Sequence, residues 1–419
     1  TLNKVLTVTV LLLEYMASLS PLSKANTSFC LDLLRNLSED NNTANIFFSP
    51  FSISAVMAMV MMGARGDTAT QISESICREN VCLSPCKSSS LVCLQCLKTQ
   101  DCQGEVYTLF AKLVSVLNQP GAAFALNVAN RLYGEKSYSF LQEFLTQTRT
   151  YFNLELESVD FRNRSEEARI KINSWVEEQT RGLIKDILPP STVSNMTRMI
   201  LLNAIYFKGT WDEPFKLWDT QESEFKINKT ETKPVQMMWK DHYLPITSIP
   251  EGRCQILEKP YKGKEMSMLI FLPDKIEDDT TGLEKLEKLL TYEKFMEWTH
   301  PDKMERQYVE VRLPRFKIEQ NYDMRKTLIS MGMEDAFDET KCDLSGMSGN
   351  KELFLSEVFH KAFVEVNEEG TEAAIVSGTA INLCSRETPF FCANHPFLFF
   401  IRHNPTMSIL FAGRFCSPE

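Results

Sequence analysis

Residues 368–380 constrain the fold of this chain more than any other stretch, because they can serve either as a loop or as a strand. The residues before them, 364–367, alternate apolar and polar side chains, as a half-buried strand does. The residues after them, 381–393, form an irregular run with Ser, Arg, Glu, Thr and Pro. The run itself consists mostly of small side chains, which could lie in solvent or slide between two strands without a clash. This pattern predicts a conformational switch.

Several short motifs follow one another along the chain. Residues 45–53 read Asn-Ile-Phe-Phe-Ser-Pro-Phe-Ser-Ile, residues 203–211 read Asn-Ala-Ile-Tyr-Phe-Lys-Gly-Thr-Trp, and residues 368–374 read Glu-Glu-Gly-Thr-Glu-Ala-Ala. Shorter motifs lie at 313–316, 343–347, 395–399 and 413–415. In sequence and in order these segments resemble the serpin family, over roughly residues 16–419. The shared order leaves little room for a chance match.

The resemblance implies a single serpin domain over residues 16–419. That fold is of the α/β class (multi-domain, α+β type), with three β-sheets, about nine helices and an exposed reactive-centre loop within 368–393. The apolar runs agree, because strand-like runs broken by helices fit a mixed sandwich of sheets better than a doubly wound parallel sheet. Strands are predicted at 125–133, 198–207, 266–272 and 308–313, helices at 53–62 and 166–180, and a buried hairpin at 397–401 and 408–412. Ser52 or Ser54 is predicted to cap the helix at 53–62.

The resemblance also assigns roles to individual residues. The hinge comprises Glu368, Glu369, Gly370, Thr371, Glu372, Ala373 and Ala374, and its small residues would enter the central sheet first. A polar cluster beneath the opening sheet comprises Ser49, Ser52, Asn203 and His360, and Trp211 would lie at the top of that sheet. The alternative for His360 is a hydrogen-bonded core histidine, and the family role is favoured. Trp211 is expected to pack at the top of the sheet, where the loop first enters.

The position of the cleaved bond stays open between two choices. Counting from the hinge gives Cys384–Ser385, whereas counting back from His395 gives Leu383–Cys384. Either choice places an apolar residue of medium size before the cut, which suits a chymotrypsin-, elastase- or cathepsin G-like protease. Arg386 would suit a trypsin-like protease, but it lies too far from the hinge. The expected partner is therefore a serine protease, and a cysteine protease could also be trapped through a thioester.

Serpins act as suicide substrates, whose cleaved loop inserts into the central sheet as a new strand. Small hinge residues favour rapid insertion, and alternation would turn Glu372 outward. Ile375 and Val376 depart from the usual alanines, although both are β-formers. The reactive-centre loop is also one residue shorter than the loops of related serpins. These departures favour the alternative of a non-inhibitory serpin that acts as a binding or scaffold protein.

No sequence signature of an enzyme or of a cofactor site occurs. HExxH, a Walker loop, GxGxxG and GxSxG are absent, so we predict neither catalysis nor a bound cofactor. The net charge of −10 argues against nucleic acid or an anionic membrane as the main partner, and we expect a monomer.

The twelve cysteines bear on structure and compartment. Half of them lie from Cys77 to Cys102, and all of these but Cys77 fall within a predicted Cys-rich interhelical loop at 78–103. The single C-x-x-C, Cys93 to Cys96, lacks the second pair of a zinc ribbon, so no metal site is predicted. The even number of cysteines is compatible with a disulfide framework. Free thiols are the alternative, because a chain of this length does not need disulfides for stability and intracellular proteins keep thiols reduced.

The first 26 residues give conflicting signals about localisation. Lys4 and the apolar run 5–13 resemble a short signal peptide, yet residues 16–26 resemble the natural start of intracellular, ovalbumin-like serpins. Residues 1–15 are thus either signal-like or an over-extended segment. The cytoplasm is favoured, with secretion as the alternative.

Overall fold

A computed structural model describes residues 19–76, 103–117, 124–371 and 389–418. Ten α-helices lie within these ranges: α1 Ser20–Asp40, α2 Pro50–Gly63, α3 Gly66–Ile76, α4 Gln103–Leu117, α5 Gln142–Phe152, α6 Phe161–Gln179, α7 Glu284–Leu289, α8 Tyr292–Trp298, α9 Arg325–Ser330 and α10 Ser345–Ser348. Short 3-10 turns occur at Leu217–Asp219 and Asp335–Phe337. No helix of the described ranges is long and apolar enough to cross a membrane.

The strands of the same ranges number fifteen. They are β1 Ile46–Phe48, β2 Phe124–Glu135, β3 Leu156–Val159, β4 Met199–Thr210, β5 Gln221–Lys226, β6 Thr232–Ile249, β7 Cys254–Pro260, β8 Met266–Pro273, β9 Glu305–Pro314, β10 Phe316–Asp323, β11 Glu357–Val366, β12 Gly370–Thr371, β13 Phe390–Cys392, β14 Phe397–His403 and β15 Ser408–Phe415. The mixed arrangement of helices and sheets predicted from the sequence is confirmed, and each predicted strand and helix is present with shifted ends.

The described strands form the three strand sets that the sequence resemblance implied, and two of these sets are joined into one hydrogen-bonded sheet. The larger sheet has nine strands in the order β1-β15-β14-β8-β7-β6-β9-β13, with β5 on β6. It is continuous because β6 is long enough to belong to two strand sets. Most of β6 pairs with β9, and only its end, Ile246–Ile249, pairs with β7.

The smaller sheet has six strands and holds the candidate site. Its order is β10-β11-β4-β2-β3, and β12 pairs with β4 beyond the end of β11. Its two central strands, β4 and β11, run parallel in register from Glu357 opposite Ile200 to Phe363 opposite Tyr206. Every residue of β4 from Met199 to Phe207 is buried, which explains why this segment is apolar apart from Asn203.

Helix α2 packs beneath this sheet. All its residues are buried, so it is apolar on every side rather than on one stripe. The predicted cap was wrong: the helix begins at Pro50, whose fixed φ suits a first turn, and the Ser49 side chain accepts the hydrogen bond from the Ser52 amide at 3.1 Å. This earlier start brings Ser49 and Ser52 to the helix end that faces the sheet.

Candidate functional site

A row of polar side chains crosses the middle of the six-stranded sheet. Asn130 of β2 lies opposite Asn203 of β4, which lies opposite His360 of β11, which lies opposite Tyr322 of β10. Residues that are opposite each other in neighbouring strands project from the same face of a sheet. Four strands therefore carry one continuous polar row in an otherwise apolar region.

Asn203 is the centre of this row. Its Nδ2 group donates to Asn130 Oδ1 at 2.7 Å and to the Ser52 hydroxyl, and its Oδ1 accepts from the ring of His360. Asn203 is fully buried, so these bonds supply the partners that water would otherwise provide. The predicted residues Ser52, Asn203 and His360 are thus in direct contact.

His360 joins β11 to the start of α2. Its Nε2 accepts the Ser49 amide N–H at 3.1 Å, so the ring hydrogen must lie on Nδ1, which donates to Asn203. The ring of Tyr322 stacks on it at 6.3 Å. Ser49 itself donates its hydroxyl to the Leu410 carbonyl at 2.7 Å, which ties the cluster to the buried hairpin β14–β15. All four predicted members of the cluster lie in one hydrogen-bonded network.

The charge state of His360 yields a testable pH dependence. Burial lowers the pKa of His360 to about 3, so between pH 6.5 and 3 the unfolded chain binds a proton that the folded chain does not. The contribution to stability is complete above pH 6.5 and is lost as pH falls toward 3. We expect the free energy of unfolding of a His360→Gln variant to fall less steeply than that of the wild type, by about 1 kcal/mol per pH unit, in urea titrations between pH 6 and 4. Equal slopes would contradict a neutral buried His360.

The upper end of the sheet shows where β11 and β4 separate. Their pairing ends at Phe363 and Tyr206, whereas β4 continues to Thr210. At that end the hinge returns to the sheet, because Gly370 pairs antiparallel with Thr210 and Thr371 with Gly209. An additional antiparallel strand would fit between β4 and β11. Strand β12 already occupies the first positions of such a strand.

Gly370 is required for this close approach. Its φ is +136°, a conformation that other residues rarely adopt, and a Cβ there would lie 2.2 Å from the Gly209 carbonyl oxygen and 2.7 Å from the Trp211 nitrogen. Backbone atoms cannot move aside as a flexible side chain can. A larger residue would therefore remove the pairing of β12 with β4.

Backbone hydrogen bonds hold the rest of the described hinge. The Glu368 carbonyl accepts the Phe215 N–H at 2.8 Å, and its carboxylate accepts the Thr220 hydroxyl at 2.8 Å. The Glu369 carbonyl accepts the Trp211 N–H at 2.8 Å. The base of the loop is therefore anchored to the segment that follows β4.

Trp211 lies directly under the hydrogen bonds that hold the base of the loop. It is buried, its indole N–H donates to the Asn367 carbonyl at 3.1 Å, and its ring stacks on Tyr261 at 4.5 Å. The ammonium of Lys259 lies 4.9 Å from the same ring. Trp211 therefore packs at the top of the sheet and also contacts Asn367, the residue before the hinge.

Sequence reasoning missed three polar residues around the site. Asn130 could have been found, since it lies in a predicted strand as Asn203 does. Lys259 and His242 could not have been found, because only folding buries Lys259 against Trp211 and His242 against Lys259. The Lys259 ammonium donates to the Glu213 carbonyl at 3.0 Å and lies 3.3 Å from His242 Nε2. Burial holds the pKa of Lys259 well below its usual range and lowers that of His242 to about 3.

The remaining predicted site residues lie outside the described ranges. They are Glu372, Ala373, Ala374, Leu383, Cys384 and Ser385, and only the backbone of Thr371 is described. The predicted Cys-rich loop and the first 18 residues are likewise outside.

Comparison with known proteins agrees with this geometry. The family model for serpin (serine protease inhibitor) matches residues 24–418. The chain is a serpin. The match places the polar row, the hinge and Trp211 within a family whose name states inhibition of serine proteases.

Curated relatives match this serpin over nearly its whole length. The leukocyte elastase inhibitors of Equus caballus and Homo sapiens are each 47% identical over 398 residues, which is 95% of this chain and 99% of theirs. Among solved structures, uncleaved ovalbumin is 35% identical with a TM-score of 0.82, over 94% of this chain and 99% of that one. A thyroxine-binding globulin complex with thyroxine is 31% identical with a TM-score of 0.81, over 95% and 99%.

Proposed function

We propose that this serpin inhibits its protease as a suicide substrate, by inserting its cleaved loop between β4 and β11. The observation that carries the proposal is the pairing of Gly370 and Thr371 with the end of β4. A strand that continued this pairing would extend antiparallel to both β4 and β11. The hinge is thus already aligned with the strand that insertion has to build.

Insertion exchanges one set of strand pairs for two. The seven register pairs between β4 and β11 must separate, and the new strand then forms a ladder with each neighbour. The net gain is on the order of ten hydrogen bonds, each worth about 0.5–1.5 kcal/mol. Before insertion the catalytic serine of the protease attacks the loop carbonyl and releases the new amino terminus, which leaves an acyl-enzyme. Insertion carries the acylated protease along and stalls hydrolysis.

The polar cluster of Ser49, Ser52, Asn203 and His360 is proposed to control this opening. The hydrogen bond between Asn203 and His360 crosses the boundary between β4 and β11 and has to break. The bond from the Ser49 amide to His360 and those from Asn203 to Ser52 and Asn130 lie on either side of that boundary. The cluster would therefore raise the barrier to opening without preventing it.

The target is proposed to be a chymotrypsin-, elastase- or cathepsin G-like protease. The apolar residue before either candidate bond, Leu383 or Cys384, suits a hydrophobic specificity pocket. The name of the relatives, leukocyte elastase inhibitor, points to the same class. Trapping of a cysteine protease through a thioester is a further possibility for the same loop.

One experiment tests inhibition and bond position together. The protein is incubated with chymotrypsin or elastase and run on a denaturing gel, and the released C-terminal peptide is weighed by mass spectrometry. We expect an SDS-stable complex and a peptide that begins at Cys384 or Ser385. Cleavage without a stable complex would contradict the inhibitory proposal.

The alternative is a non-inhibitory serpin that serves as a binding protein. Ile375 and Val376 favour it, and a related fold is known as a complex with thyroxine. The same samples distinguish the two, because an inhibitor gains heat stability when its cleaved loop inserts. A cleaved protein with an unchanged melting temperature would support the alternative.

We further propose a monomeric, cytoplasmic protein with one domain over residues 16–419. The similarity to leukocyte elastase inhibitors supports this, as do the unpaired thiols of Cys30, Cys254, Cys342, Cys392 and Cys416 within the described ranges. Fractionation of cells that express the natural gene would test the compartment, and N-glycosylation at any of the six N-x-S/T sequons would contradict it.

A further inference from the structure

An exposed aromatic surface lies beside the end of the reactive-centre loop. Trp239 and Tyr243 of β6, Tyr308 of β9 and Phe390 of β13 are 40%, 47%, 57% and 49% exposed. We call these four residues the aromatic face. Exposed Trp and Tyr in a group are unusual on a soluble protein and are typical of interaction surfaces.

The register of the three strands makes this surface continuous. Tyr243 lies opposite Tyr308, and their ring centroids are 5.2 Å apart. Trp239 lies opposite Arg312, whose guanidinium is 5.2 Å from the ring of Phe390. The side chains therefore share one side of the sheet. Arg312 connects Trp239 to Phe390 across β9.

The length of the loop brings a bound protease onto this surface. Either candidate bond lies only five or six residues before Phe390, so even a fully extended segment keeps it within about 25 Å of β13. A protease domain of about 200 residues has a radius of gyration of about 16 Å, which corresponds to a diameter of about 40 Å, so the domain is wider than this tether is long. A protease whose active site holds the bond must place its neighbouring surface against or close to the end of the loop.

The charges on the same strands indicate what kind of protease surface fits. Asp241 lies opposite Glu310 between the aromatic residues, and Arg312 neutralises Glu310 at 2.8 Å. Arg306, two residues before Tyr308 on the same side of the sheet, adds a second cation, so Arg306 and Arg312 balance Asp241 and Glu310. The patch is therefore aromatic and close to neutral, and it complements a mainly apolar protease surface.

We propose that the aromatic face is a second contact site for the target protease, next to the contact made by the loop itself. The inference rests on the proposed inhibitory function. Its partner is a protease that presents mainly apolar side chains beside its active site. The contact would speed encounter and orient the protease before the loop is cleaved.

The test compares a triple variant, Trp239→Ala with Tyr243→Ala and Tyr308→Ala, with the wild type. We expect the second-order rate of inhibition to fall about tenfold, while the stoichiometry of inhibition stays unchanged. Binding to a protease whose catalytic serine is replaced by alanine should weaken by a similar factor. A Tyr243→Phe and Tyr308→Phe variant keeps the rings and should keep the rate. Ile170→Ala, at a 53% exposed position on α6, is the matched control.

The possible outcomes separate this inference from the inhibitory proposal. If SDS-stable complexes form at the same rate in the triple variant, the contact site is wrong and inhibition stands. If the wild type forms no such complex, binding to the inactive protease decides the question. Weaker binding by the triple variant supports the contact site, and equal binding by the two proteins overturns it. A change from dimer to monomer in the triple variant, without an effect on protease binding, would assign the surface to a second copy and overturn the inference.

Discussion

A Thr371→Arg variant is expected to become a substrate of the target protease instead of its inhibitor. Thr371 pairs with Gly209 at the start of the inserted strand, and alternation predicts that positions 371, 373 and 375 turn toward the core once the strand is built. Burial of an unpaired guanidinium there costs at least several kcal/mol, and 1.4 kcal/mol already slows a step tenfold. Hydrolysis of the acyl-enzyme would then outrun insertion.

The measurement is the stoichiometry of inhibition together with the denaturing gel. We expect the number of inhibitor molecules consumed per trapped protease to rise more than about tenfold, with cleaved serpin replacing the complex. Glu372→Arg is the matched control, because it introduces the same side chain one residue later, where alternation predicts an outward position. A Thr371→Arg protein that traps protease as the control does would contradict insertion through this hinge.

An Asn203→Ala variant is expected to lower the free energy of unfolding by about 3–5 kcal/mol. The substitution leaves the His360 ring N–H, the side-chain Oδ1 of Asn130 and the Ser52 hydroxyl without their shared partner in a largely buried place. Each buried group that loses its partner costs about 1–3 kcal/mol. Because one of these bonds crosses between β4 and β11, the sheet should also open more readily.

Urea unfolding gives the stability, and the rate of heat-induced polymer formation reports the opening. Asn321→Ala on β10 of the same sheet is the control, since Asn321 is exposed and its side chain donates one hydrogen bond, to the Ile187 carbonyl at 3.2 Å. We expect that control to cost less than about 1 kcal/mol. Similar losses for the two variants would show that the cluster has no special part in holding the sheet closed.

The elements of the fold could largely be predicted from the sequence, because periodicity and apolar runs are local properties. The run 198–207 predicted a central strand and the run 53–62 a helix that fills the core, and both are present. Element ends were less certain: α2 begins at Pro50, three residues before the predicted start, since its cap is Ser49. The joining of two strand sets through β6 could not be predicted, because nothing local reveals that one long strand belongs to both.

By itself, the sequence determined the family, the position of the hinge and four members of the polar cluster, because these are carried by contiguous motifs. Only the tertiary structure decided that Asn130 completes the row, that Lys259 and His242 lie buried beside Trp211, and that Trp239, Tyr243, Tyr308 and Phe390 form one surface. These groupings depend on the register between strands far apart in the chain, such as Asn130, Asn203 and His360. Register is set by the packing of all the strands at once, and a shift of one residue would turn each side chain to the other face.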